Sequence, residues 1–209
     1  AKSINRVFPL SLASEGTCQI GGNLATNAGG INVIKFGNAR ALCCGIEAVL
    51  ADGTVYNGLS SLFKDNTGYD LRNLLIGSEG TLGIITAATL RTELIPDDNI
   101  VAIVKVSCPD SAISLLRRLQ KELKDQIYAF ELLNNKGLEF LKYVGVRFKE
   151  PFATTSEWMV LIEVAGPRTI GIRNLFEKIL FEVMEDNTVS DAVLSNNESQ
   201  AKEMWYIRE

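Results

Sequence analysis

The stretch GTCQIGGNLATNAGG, residues 16 to 30, carries the residues best able to do chemistry. Gly16, Gly21, Gly22, Gly29 and Gly30 alternate there with Thr17, Asn23, Thr26 and Asn27. Glycine lets a chain turn through positive φ and come close to a ligand. Backbone N–H groups exposed in such turns form a concavity that suits an anion. Thr and Asn side chains add hydrogen bonds without charge repulsion. A phosphate or pyrophosphate guest is one reading, and a set of tight structural turns is the other. A second segment, KDNTGYDL at 64 to 71, is a turn former through Asp65, Asn66, Thr67 and Gly68. By itself it reads as a surface loop whose Tyr69 packs down. A third, IGSEGTLGIIT at 76 to 86, sets Gly77, Gly80 and Gly83 around Glu79, its one ionisable residue. Alone, Glu79 reads as a turn or surface residue. Neither G-x-G-x-x-G between strand and helix nor G-x-x-x-x-G-K-[ST] occurs, so the two commonest nucleotide loops are excluded.

What the sequence lacks narrows the chemistry further. It holds no histidine, so the commonest general base and metal ligand must come from outside these 209 residues if they are needed. Cys18, Cys43, Cys44 and Cys108 form no C-x-x-C pair, and they read as buried free thiols. The formal net charge of -4 gives no basic surface for nucleic acid. No apolar run reaches membrane-spanning length, and the opening AKSINRVFPLSLASEG has no secretory-signal pattern. With 46% hydrophobic residues the chain can bury a sizeable core in one domain or two small ones.

The elements that must position these segments change texture at LIPDDN, residues 94 to 99, where we set a domain boundary. Before it, residues 43 to 50 and 54 to 56 read as a hairpin turning at Asp52-Gly53. SSLFKDNTGYDLRN reads as a polar loop, and Ile84 to Leu90 as a strand. After it, strands are expected at 101–106, 127–133, 158–166 and 188–194. A helix is expected from Ala112 to Leu123 at helical spacing, its cap left open among Ser107, Pro109 and Asp110. Further helices are expected at 134–143, from Ile172 to Val183, and in the tail from Asn197. Strands alternating with helices point to a ferredoxin-like α+β element in this second half.

Taken in order, IGGNLATNAGG, VLADGTV, KDNTGYDL and LIGSEGTLGIIT resemble the FAD-linked oxidases of the vanillyl-alcohol-oxidase type. The similarity is greatest to the branch of D-lactate dehydrogenase, the glycolate oxidase FAD subunit and D-2-hydroxyglutarate dehydrogenase. The FPLSL opening and the closing MWYIRE, similar to the family's W-x-x-R-E, agree with it. The match covers essentially the whole chain. It is strong to about Thr92 and weaker between 100 and 197. The resemblance implies an α+β fold: residues 1–95 as the second part of a PCMH-type FAD-binding domain, and 96–209 as the start of a ferredoxin-like substrate, or cap, domain. It implies that Thr17, Gly21, Gly22, Asn23, Thr26 and Asn27 line the pyrophosphate and the flavin's surroundings. Glu79, Gly80, Ile84 and Ile85 would hold the adenosine side, and Asp65 and Asn66 would shape the wall between. Arg208 would meet the substrate carboxylate; read without the family, it is an ordinary charge near a chain end.

The implied reaction is FAD-dependent oxidation of D-lactate, glycolate or D-2-hydroxyglutarate to the 2-oxo acid. Electrons would pass to a quinone or an electron-transfer flavoprotein. The family's earlier pyrophosphate loop has no counterpart before Ala1, and its base and metal-binding histidines fall beyond Glu209. A divalent metal such as zinc is therefore expected only in an intact enzyme. The chain reads as an internal fragment, inactive alone and self-associating through exposed strand edges. A cytoplasmic or matrix location, at most membrane-peripheral, is expected. Two alternatives remain: an alcohol or sugar oxidase of the same fold, and a non-catalytic binding or structural protein that the missing histidine would suit.

Overall fold

The computed structural model describes residues 1–154 and 156–208. The chain divides into two compact units, Ala1–Ile95 and Pro96–Glu209.

In the first unit, β1 (Arg6–Val7) comes first and later pairs with a short strand at the unit's end. Two short helices follow, α1 (Ile20–Ala25) and α2 (Val33–Phe36). Next come β2 (Cys43–Val49) and β3 (Val55–Gly58), the expected antiparallel hairpin. Its turn closes where the sequence places it. Asp52 Oδ1 accepts from Thr54 N–H at 2.9 Å, and Gly53 sits at φ 86°. A five-residue helix, α3 (Leu71–Leu75), interrupts the segment read as loop. Its signal is Asp70, whose Oδ1 accepts the Asn73 N–H at 3.0 Å as an N-cap. Then β4 (Ile84–Leu90) pairs antiparallel with β2, giving the order β3-β2-β4, and β5 (Glu93–Leu94) pairs with β1. The core gathers Leu24, Leu42, Ile46 and Ile76 in one cluster with Cys43 and Ala48 of β2.

The second unit is built on β6 (Asp98–Val106), α4 (Pro109–Leu123), β7 (Ile127–Asn134) and α5 (Asn135–Tyr143). It continues with β8 (Trp158–Gly166), α6 (Ile172–Glu185), β9 (Asp191–Leu194) and α7 (Glu198–Tyr206). The four strands form one antiparallel sheet in the order β7-β8-β6-β9. Second, third, first and fourth in sequence, this is the ferredoxin-like arrangement with α5 inserted. The cap left open is Cys108, with Pro109 at the first helical position.

Strands β6 and β8 are apolar on both faces because both faces are covered. Even-numbered β6 residues such as Ala102 and Val104 pack with Leu115 and Leu119 of α4 and Phe176 and Ile179 of α6. Odd-numbered Val101 and Ile103, with Met159 and Leu161 of β8, pack under Leu138 of α5 and Met204 and Trp205 of α7. Period-two alternation thus fills two separate cores. Burying a side chain such as Phe176 stabilises the unit by roughly 1.5–3 kcal/mol.

Two expectations are corrected. Tyr69 does not pack down: it is 95% exposed, because the Asp65–Gly68 turn carries it outward. Of the cysteines only Cys43 is buried, and burial raises its thiol pKa; Cys18, Cys44 and Cys108 are partly exposed.

Candidate functional site

The glycine-rich segments of the first unit meet at α1. Gly21 lies against the backbone of β4, where an added Cβ would stand 3.4 Å from the Ile85 carbonyl oxygen. The turn after α3 docks on the other end of the helix. Gly77 N–H donates to Leu24 O at 3.0 Å and Glu79 N–H to Ala25 O at 2.9 Å. Both sides of this junction use left-handed backbone: Asn27 at φ 49° and Glu79 at φ 52°, with Gly77 at 83° and Gly80 at 78°. Non-glycine residues held there cost of order 1–3 kcal/mol each and cluster at functional sites. The structure therefore brings Gly21, Gly22, Asn23, Thr26, Asn27, Glu79, Gly80, Ile84 and Ile85 together.

Within that cluster several side chains are already engaged. Asn23 Nδ2 donates to Cys18 Sγ at 3.3 Å, Thr26 Oγ1 to Gly22 O at 3.0 Å, and Asn27 Oδ1 accepts the Arg40 N–H at 3.0 Å. Thr17 is exposed in the turn before α1, with its hydroxyl on Ser14 O at 3.3 Å. Ile84 is 62% exposed at the start of β4, beside Gly80.

What the cluster presents outward is mostly backbone. The amides of Ile20, Gly21 and Gly22, in the first turn of α1, have no hydrogen-bond acceptor among the described residues. A Cβ at Gly22 would meet nothing within 4 Å, so its backbone faces open space. At the other end of the helix, in the 76–80 turn, Ser78 Oγ is buried without a partner. Uncharged donors on close, glycine-made backbone fit FAD, whose pyrophosphate and ring edge need acceptors and donors met at short range.

Asp65 and Asn66 are not part of this cluster. They sit in the exposed loop before α3, where Asp65 Oδ1 accepts the Thr67 N–H at 3.3 Å. Sequence reasoning missed Arg40, which joins the two glycine segments. Its Nη2 donates to Ile76 O at 2.6 Å while its N–H holds Asn27. Arg40 and Asn27 also line a groove of 670 Å3 with Arg72, Asn73 and Arg91. Nothing in the spacing of Arg40 marks it, because its partners are a carbonyl and a side chain far along the chain.

In the second unit, Arg208 follows α7, with its side chain one-third exposed. Its Nε donates to Glu131 Oε2 on β7 at 3.1 Å. Three residues earlier, Trp205 Nε1 donates to Glu163 Oε2 on β8 at 2.9 Å, and Asn99 Nδ2 reaches Glu163 Oε1 at 2.8 Å. Burial pushes the Glu163 carboxyl above the usual range, against the lowering effect of those two donors. Both acids were missed, although each is a lone charge in an apolar strand, IYAFELL and WMVLIEVAG, and that is a readable signal. Among the described residues no group of three or more His, Cys, Asp or Glu is placed to hold a metal, and no helix is long and apolar enough to cross a membrane.

Known proteins share this architecture. The FAD binding domain family matches residues 1–58, and the family described as FAD linked oxidases, C-terminal domain, matches 95–209. A mitochondrial D-2-hydroxyglutarate dehydrogenase of Arabidopsis thaliana is 37% identical over 97% of the chain and 36% of its own length. Its counterpart in Bos taurus is 39% identical over 97% of the chain and 37% of its length. A putative mitochondrial D-lactate dehydrogenase of Schizosaccharomyces pombe is 34% identical, covering 97% and 38% respectively. The chain thus spans well under half the length of these curated relatives. Among solved structures, an alkyldihydroxyacetonephosphate synthase superposes with a TM-score of 0.67 over 97% of this chain and 38% of its own, at 16% identity, which speaks to the fold alone. With the C-terminal domain family covering more than half of its residues, the chain belongs to the FAD-linked oxidases.

Proposed function

We propose that the chain forms part of an FAD-dependent dehydrogenase that oxidises a 2-hydroxy acid to the 2-oxo acid. The observation that carries this reading is the first turn of α1 beside β4, where the amides of residues 20–22 are free and Gly22 faces open space. Relatives named D-2-hydroxyglutarate and D-lactate dehydrogenases support the substrate class, and both are 2-hydroxy acids.

In this reading Gly21, Gly22 and the 77–80 turn hold the cofactor through backbone, with Asn23, Thr26 and Asn27 fixing the loop that presents it. Thr17, Glu79, Ile84 and Ile85 border it, and Asp65 and Asn66 shape a neighbouring wall. When bound, FAD supplies the two-electron acceptor. Arg208 takes the substrate carboxylate, since a guanidinium binds a carboxylate through paired N–H donors. The domain roles follow: residues 1–95 serve the cofactor and 96–209 the substrate. A quinone or an electron-transfer flavoprotein receives the electrons. Relatives named as mitochondrial support a mitochondrial location, for which we propose the matrix. The outer edges of β3 and β4 are open to self-association.

The test is the visible spectrum of the purified protein that carries this chain. Flavin absorbance that bleaches anaerobically with D-2-hydroxyglutarate, D-lactate or glycolate supports the reading and selects the substrate. A flavin-free protein, or a flavin that none of them reduces, refutes it.

A further inference from the structure

The Arg208 guanidinium is held from one side only. Glu131 takes Nε at 3.1 Å, and the described residues make no hydrogen bond or ion pair to Nη1 or Nη2. The two side chains are 33% and 27% exposed, so the pair is partly desolvated and less screened than a surface bridge. The segment bearing Arg208 is itself pinned to the same sheet face. Trp205 Nε1 bonds Glu163 Oε2 at 2.9 Å, and Arg208 N–H bonds Trp205 O at 2.9 Å. Glu131 is paired with Leu161, two residues from Glu163, so both carboxylates rise from the face that α7 covers.

From this geometry we infer that Glu131 is a positioning residue for substrate recognition, presetting the Arg208 guanidinium with its Nη edge free. The inference rests on the reading of Arg208 as the carboxylate contact and adds to it. A free arginine side chain samples many rotamers, and ordering it opposes binding. Fixing Nε to Glu131 removes that ordering from the binding step. It also leaves a planar pair of N–H groups, which is the fork that a carboxylate accepts. The arginine then bridges two carboxylates, one internal and permanent, one brought by the ligand. Glu163 does the coarser task through Trp205: it fixes where the backbone of residues 205–208 lies.

The test uses the purified protein that carries this chain, with the 2-oxo acid product as ligand and calorimetric affinity as readout, so that turnover is not needed. Melting temperature and flavin content are followed alongside. Glu131→Ala is expected to weaken product affinity about tenfold and to raise KM far more than it lowers kcat. Glu131→Gln keeps an acceptor for Nε and is expected to lose less. Neither changes flavin content. In an Arg208→Ala background, Glu131→Ala has no further effect on affinity. If Arg208→Ala destroys product affinity while both Glu131 variants keep it, the positioning role is overturned and the reading of Arg208 stands. If Arg208→Ala also leaves affinity unchanged, both fall.

Discussion

The two units present chemistry in different ways. The first offers backbone: its junction at α1 turns on positive φ at Asn27, Gly77, Glu79 and Gly80, and its free donors are main-chain amides. The second offers side chains on a rigid base: Arg208 and Trp205 are fixed by Glu131 and Glu163 on a sheet covered on both faces. The cores follow suit. The first unit has one apolar cluster, whereas the second fills two across β6 and β8. A cofactor needs a wall that comes close everywhere, which glycine supplies at the expense of packing. A small anionic substrate needs one charge aimed well, which a packed scaffold supplies.

The largest stability effect should come from the packed unit. Phe176→Ala empties the centre of the α4–α6 face and is expected to cost about 3–5 kcal/mol. Both tryptophans, Trp158 and Trp205, lie in that unit, so denaturant unfolding followed by tryptophan fluorescence reads it directly. A midpoint that hardly moves would mean the two-faced core is not what holds the sheet. In the first unit, strain outweighs cavity. A Cβ at Gly30 would stand 1.7 Å from the Ser11 carbonyl oxygen, so Gly30→Ala must shift backbone, at a cost of about 1–3 kcal/mol. Thermal melting and flavin retention would both fall. Smaller again is Gly77→Ala. At φ 83° an alanine is strained by about 1–2 kcal/mol, and its Cβ would press on Arg40 Nη2 at 2.9 Å.

How far these positions were legible depends on the range of the contact. The strands β6 to β8 and helices α4 and α6 follow from residue periodicity, because a two-faced sheet imposes apolar residues on every position and an amphipathic helix on every third or fourth. The hairpin turn at Asp52-Gly53 is local chemistry and was equally readable. Helix α3 was not, since five residues carry too little periodicity and only the Asp70 cap marks them. Tyr69 was misplaced because nothing local says whether an aromatic beside a turn points inward. At the site, glycine density drew attention to residues 16–30, but the expected positive-φ turns there are corrected. Gly21 and Gly22 lie in helix α1, and none of the five glycines has positive φ. Asn23, Thr26 and Asn27 turn their side chains to Cys18, Gly22 and Arg40. Nor did glycine density separate Asp65 and Asn66 from the α1 junction. The pairing of Arg208 with Glu131 spans 77 positions, and no spacing rule reaches so far.

The smallest effect is a pH slope in the second unit. Glu163 is raised by burial, so above the unfolded value near 4.5 the native state keeps a proton that the unfolded chain releases. Stability therefore falls as pH rises from there through the raised folded value, and is flat beyond it. Glu163→Gln cannot ionise and should remove that slope; it keeps the Trp205 bond if Asn99 turns its amide. Melting temperatures measured across pH 4 to 8 for both proteins check it, and parallel curves would contradict the assignment.

The proposed division of labour between the units is tested most directly by one anaerobic titration of flavin absorbance with a 2-hydroxy acid, run on the native protein, Gly22→Leu and Arg208→Ala. A Cβ at position 22 meets no protein atom within 4 Å, so a leucine there projects into the open space that the proposal gives to the cofactor. The expected result is that Gly22→Leu is purified without flavin, while Arg208→Ala keeps its flavin and needs about 100-fold more substrate to bleach it. A Gly22→Leu protein with full flavin, or an Arg208→Ala protein that bleaches at the native concentration, would contradict it.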